Sequence, residues 1–146
     1  MSTKRKSRKN AAGFWLLIYS VLMIWLLFFG SRTYGTGSVA SRCNFVPLQT
    51  IRQMLVLMKD PDGSYVAFSA INLIGNVVMF VPLGFLLPKT YPKLKNFFRM
   101  LFWVIVIVVL IETLQLITTL GSCDIDDLIL NVTGAILGYL IWATTK

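Results

Sequence analysis

The 146-residue chain has no histidine, two cysteines, and six acidic residues against fourteen basic ones. Without histidine there is no Ser/His or Cys/His pair to activate a nucleophile. Two cysteines, Cys43 and Cys123, allow at most one intrachain disulfide. No internal repeat is found, and no disordered tail beyond a basic leader. Nucleic-acid-binding motifs are also absent, and the net charge of +8 lies in the leader and loops. That distribution fits membrane topology and attraction to anionic headgroups better than a nucleic-acid footprint, so no nucleic-acid partner is expected.

What the chain has in abundance is apolar surface. It is 56% hydrophobic with a mean hydropathy of +0.73, well outside the range of ordinary soluble domains. Four runs reach the roughly 20 residues that a helix needs to cross a bilayer: Ala11–Gly30, Tyr65–Leu87, Phe97–Leu120 and Ile125–Thr144. The first follows the basic stretch KRKSRK but is longer than the apolar part of a signal peptide and lacks a convincing cleavage site, so it reads as a retained helix. The expected class is an all-α membrane protein with four transmembrane helices: a basic leader over residues 1–10 and one membrane domain over 11–146.

Basic residues set the expected orientation. Lys4, Arg5, Lys6, Arg8 and Lys9 precede the first span, Lys89, Lys93, Lys95 and Arg99 separate the second from the third, and Lys146 ends the chain. By the positive-inside rule these lie in the cytoplasm with both termini. The first external loop then carries Arg32, Arg42, Arg52 and Lys59, offset in part by Asp60 and Asp62. Within it, LQTIRQMLVLMK places Leu48, Ile51, Leu55 and Met58 at helical spacing, which predicts a short helix lying in the outer headgroup region. KDPDGS then predicts a turn.

The few polar residues inside the spans carry most of the functional information. Asn72 and Asn76 share a helix face, as do Glu112 and Gln115, and the last span lines up Asp127, Asn131, Gly134, Ala135 and Gly138. At 1.5 Å per residue, Asn72, Glu112, Gln115 and Asn131 lie about 8 to 12 Å below the expected outer ends, and Asn76 about 16 Å. Asp124, Asp126 and Asp127 sit just above that slab. The economical expectation is one outward-open polar pocket on which Asn76, Glu112, Gln115 and Asn131 converge, with Arg42 or Asn44 reaching in from the first loop. Arg42 is the expected charged partner of Glu112, since an intramembrane carboxylate costs at least about 2.5 kcal/mol and calls for a partner or a function. The plainer alternative is that Asp124 or Asp126 caps a helix and that the amides and small residues bind helices together.

The motifs RCNFVPLQTI (Arg42 to Ile51), NLIGNVVMFVPLGFLLP (Asn72 to Pro88), IETLQL (Ile111 to Leu116) and GSCDIDDLILNVTGAILGYL (Gly121 to Leu140) resemble, in order and spacing, the VanZ-like family of small bacterial membrane proteins. The family pattern carries over to Arg42, Asn44, Pro47, Asn76, Phe80, Pro82, Gly84, Glu112, Gln115, Asp124, Asp126, Asp127, Asn131, Gly134 and Gly138. It departs at Leu48, where an aromatic is usual, and at Cys123, where aromatic or small residues are usual. The resemblance implies a multi-pass plasma-membrane protein from a family named for resistance to teicoplanin and related lipid-bearing glycopeptides.

Three functions are open at this stage. One is binding of a lipid-linked cell-wall precursor or a lipoglycopeptide in the outer pocket. Another is an intramembrane enzyme with Glu112 as general base and Asp126 or Asp127 holding a divalent cation. The third is a small ion or solute carrier that protonates Glu112. Membrane lipids are expected partners, and no cofactor is implied. Because Cys43 and Cys123 flank the two external motifs, a disulfide between them is also expected to pin the first loop over the pocket.

Overall fold

In the computed structural model the described residues are 2–30, 42–59 and 63–145, with side chains described from Asn10 onward except at 29 and 30. Arg32, Asp60, Asp62 and Lys146, and with them half of the expected KDPDGS turn, lie outside the described residues. In chain order the elements are α1 (Ser2–Trp25), which runs on into a π-helical turn over Leu26–Gly30, β1 (Cys43–Asn44), α2 (Gln49–Leu57), α3 (Val66–Thr90), a 3-10 turn over Pro92–Lys95, α4 (Phe97–Ile117), β2 (Cys123–Asp124) and α5 (Ile125–Thr144). Four of the helices are long and apolar enough to cross a membrane, over Asn10–Phe28, Val66–Thr90, Phe97–Ile117 and Ile125–Thr144. The chain is a multi-pass helical membrane protein by length and composition.

α3 and α5 form its centre. A β-carbon at Gly134 would overlap the carbonyl of Val77, one at Gly138 the carbonyl of Val81, and one at Gly84 the carbonyl of Ala135. The small residues let the two backbones touch, which is how membrane helices pack when hydrophobic burial gives no preference between lipid and protein. α4 adds a stripe four residues apart, Met100, Val104, Val108 and Glu112, all buried. Met100, Val104 and Val108 meet Phe80, Leu83 and Leu87 of α3 and Ala135, Tyr139 and Trp142 of α5 in one core. α1 lies against α3, where the hydroxyl of Tyr19 donates to the carbonyl of Met79 at 2.7 Å. Large apolar side chains elsewhere on the long helices, such as Val21, Ile71 and Phe102, face outward, as lipid-facing positions do.

Three features differ from the sequence expectation. α4 stops at Ile117 rather than Leu120: Thr119 adopts a left-handed conformation (φ 59°), and Leu120 and Thr119 donate back to the carbonyls of Gln115 and Leu116. This is a Schellman stop with threonine in the place that glycine usually takes. α3 continues past Leu87 to Thr90, through both Pro82 and Pro88. The third difference is a short parallel strand pair, β1 with β2, which sets Cys43 opposite Cys123 and Asn44 opposite Asp124. It ties the first loop to the start of α5.

Candidate functional site

The first loop enters the fold through a tight turn. Val46, Pro47, Leu48 and Gln49 form it, with Gln49 donating to the carbonyl of Val46 at 3.4 Å and Leu48 at φ 65°, ψ 7°. Proline at the second position and positive φ at the third define a type II turn, whose third position usually holds glycine or asparagine. Leu48 thus stands at the N-cap of α2 without a side chain able to cap it. Asp126 supplies the cap from α5: one oxygen accepts from the backbone N–H of Leu48, the other from that of Ile51 at 3.0 Å. Asp126 is fully buried. The N-terminus of α2 and an aspartate far along the chain form one unit.

Asp124 plays two parts. It caps α5 by accepting from the N–H of Asp126 at 2.9 Å. It also accepts from the hydroxyl of Thr50 at 2.6 Å and lies 3.3 Å from the side-chain amide of Asn44, which in turn donates to Thr50 at 3.0 Å. Asp127 turns toward α3, where the amide of Asn76 donates to it. Asp124 and Asp126 therefore address β1 and α2, and Asp127 addresses α3. Thr50 was not singled out from the sequence; its signal was a hydroxyl in the first turn of an amphipathic helix.

Glu112 faces the bundle interior, not lipid, as the last member of the buried α4 stripe. Asp127 and Asp124 are its charged neighbours, and the backbone of Asp124 lies beside its carboxylate. Asn131 lies one turn beyond Asp127 on α5 and is almost fully buried. Oε2 of Glu112 and Oδ1 of Asn131 are buried without a hydrogen-bond partner among the described residues, as are Nε and Nη1 of Arg42 and Oγ of Ser69. Asn72 is half-buried on α3, one turn before Asn76.

Three expected contacts are not made among the described residues. Arg42 makes no ion pair with Glu112: its Nε and Nη1 are among the unpartnered atoms, and it is not among the charges acting on that carboxylate. Gln115 turns its amide nitrogen toward α1, donating to the carbonyl of Leu27 at 3.0 Å. The π-helical turn at the end of α1 leaves a carbonyl in need of a donor, and Gln115 provides it. Cys43 and Cys123 are free thiols in this structure; the strand pairing places them side by side in register but not bonded. Burial, and then the neighbouring Cys43, push the Cys123 thiol above its ordinary range. Among the described residues, no group of three or more acids and cysteines is arranged to hold a metal ion.

Residues 16–146 match the family model described as VanZ/LLP1. Over 75 residues the chain is 33% identical to Protein VanZ of Enterococcus faecium, an alignment that covers 51% of this chain and 46% of that relative. The matched part thus spans about half the length of the curated relative. No solved structure matches.

Proposed function

The chain belongs to the VanZ/LLP1 family, and on that premise we propose that it is a multi-pass protein of the bacterial plasma membrane that contributes to resistance against teicoplanin and related lipoglycopeptides. It does so by holding the polar part of a lipid-linked or lipopeptide ligand at the outer ends of α3, α4 and α5. Both termini are cytoplasmic in this reading, and α2 lies in the outer headgroup region. The exposed side chains of Phe45, Val46, Leu48, Leu55 and Val56 support that position for α2, since they give the segment an apolar surface of its own.

The observation that carries the reading is a set of polar atoms unpartnered among the described residues: Oε2 of Glu112 and Oδ1 of Asn131, both buried. Buried acceptors without donors cost about 1–3 kcal/mol each, and they are the kind of groups that a ligand's ammonium, amide or hydroxyl satisfies. Binding is preferred to cation-assisted catalysis because both oxygens of Asp126 are engaged by backbone N–H groups and Asp127 already accepts from the amide of Asn76. The test compares wild-type, deletion and Glu112→Gln strains against a lipid-bearing and a non-lipidated glycopeptide. Greater susceptibility of the deletion and Glu112→Gln strains to the lipid-bearing drug alone is expected. Equal susceptibility of all three strains to both drugs would remove the reading.

A further inference from the structure

The opposite end of the bundle has a different chemistry. Between the end of α3 and the first turns of α4 lies a cavity of about 500 Å³, walled by Leu87, Leu94 and Ile107 and open past Tyr91, Lys93 and Trp103. Trp103 and Ile107 are one turn apart on α4, and Ile107 lies about 15 Å along the helix from Phe97 at 1.5 Å per residue. That distance is about half of a 30 Å hydrocarbon core. The groove therefore runs from the headgroup level to near the midplane on one side of a bilayer.

Its charge is of one sign. Lys93 lines the mouth, and Lys89, Lys95 and Arg99 are exposed on the same connection and its flanks. Between Gly63 and Ile111 the sequence contains no acidic residue. Lys89 is turned onto the ring of Phe85, 3.9 Å from its centroid, and among the described residues Lys93 is the cation that lines the groove. Tyr91 and Trp103 are both about half exposed, in the amphipathic setting that such rings take at a membrane interface. A second copy of this chain would bring the same cations against themselves, and a cationic ligand would be repelled.

We propose that this groove is a binding site for an anionic phospholipid, with one acyl chain along Leu87, Leu94 and Ile107 and the phosphate at Lys93. The site is independent of the outer polar group, since no residue is shared. The test uses the full chain reconstituted into phosphatidylcholine vesicles containing a minor fraction of tail-brominated phosphatidylglycerol or tail-brominated phosphatidylcholine. The contribution of Trp103 to the fluorescence is isolated by subtracting the Trp103→Phe variant. Brominated phosphatidylglycerol should quench it about fivefold more effectively than brominated phosphatidylcholine, the ratio that about 1 kcal/mol per basic residue implies. Lys93→Gln should bring that ratio to one. Equal quenching by both lipids in the wild type would overturn the proposal, because the groove would then take any acyl chain. Absence of quenching by either would overturn it too, by showing the groove covered by protein.

Discussion

Replacing Asp126 by alanine should detach α2 without dissolving the bundle. Two backbone N–H groups at the start of α2, those of Leu48 and Ile51, have Asp126 as their acceptor, and Leu48 offers no side-chain cap. Hydrogen bonds to a charged acceptor contribute about 1.5–3 kcal/mol each, and losing a helix cap costs about 0.5–2 kcal/mol. Leu48 is partly exposed, so water can reach its freed N–H, which places the net loss at about 2–4 kcal/mol. At 1.36 kcal/mol per decade this is about a thirty- to thousandfold rise in local opening. The assay is hydrogen exchange read by mass spectrometry on the detergent-solubilised full chain, following peptides across residues 45–58 against peptides from α4 and the inner half of α5. Faster exchange confined to 45–58 is the expected result. Unchanged exchange there would refute the capping argument, and equal acceleration in α4 and α5 would show that Asp126 supports the whole fold instead. Asp126→Asn, which keeps an acceptor oxygen but no charge, should fall between wild type and alanine.

Other consequences are equally direct. Gly138→Leu would drive a side chain into the carbonyl of Val81, and because backbone cannot yield as a side chain does, the detergent melting temperature should fall by at least what about 1–3 kcal/mol of overpacking produces. Tyr139→Phe removes the bond from its hydroxyl to the carbonyl of Lys95 at 2.7 Å but keeps the ring against Phe97, so the same melt should show a loss of about 1 kcal/mol. Strands in register lie about 4.8 Å apart, within the range that a disulfide spans; mild oxidation should therefore join Cys43 to Cys123, detected as an intramolecular crosslink on a non-reducing gel and absent in Cys43→Ser. Closing a loop of about 80 residues would add about 4.5 kcal/mol in the chain-entropy model. The raised Cys123 thiol stays protonated at neutral pH, so in Cys43→Ser its alkylation rate should keep rising above the ordinary thiol range; the stability linked to that proton is present below the ordinary thiol pKa and lost as pH climbs through the folded value.

The spans were legible because they rest on composition and length, which need no knowledge of neighbours: α5 begins at Ile125 and ends at Thr144 as the apolar run does. The small stripe of Gly134 and Gly138 was legible for a related reason, since only a close backbone accounts for it. The end of α4 was not, because Leu120 continues the apolar run and the stop depends on a left-handed Thr119. The strand pair was invisible in principle: two residues, Cys43 and Asn44, carry no period, and their partner is far along the chain.

The polar residues show where face-sharing ceases to be informative. Glu112 and Gln115 are three apart, which on a helix of 100° per residue leaves them about 60° apart around the axis. At a junction of several helices that angle is enough to change neighbours: Glu112 meets Asp124 and Asp127, whereas Gln115 meets Leu27. The same geometry governs the acids. Asp126 and Asp127 are adjacent in sequence and about 100° apart on α5, so one reaches the N-terminus of α2 and the other reaches Asn76 on α3. Asp124, outside the helix, is left to the strand pair and Thr50. Grouped as one binding cluster on sequence evidence, the three acids divide into two that build the first loop onto the bundle and one, Asp127, that stays beside Glu112. The proposed ligand chemistry therefore rests on Glu112, Asp127 and Asn131, with Asp124 and Asp126 fixing β1 and α2 to the start of α5.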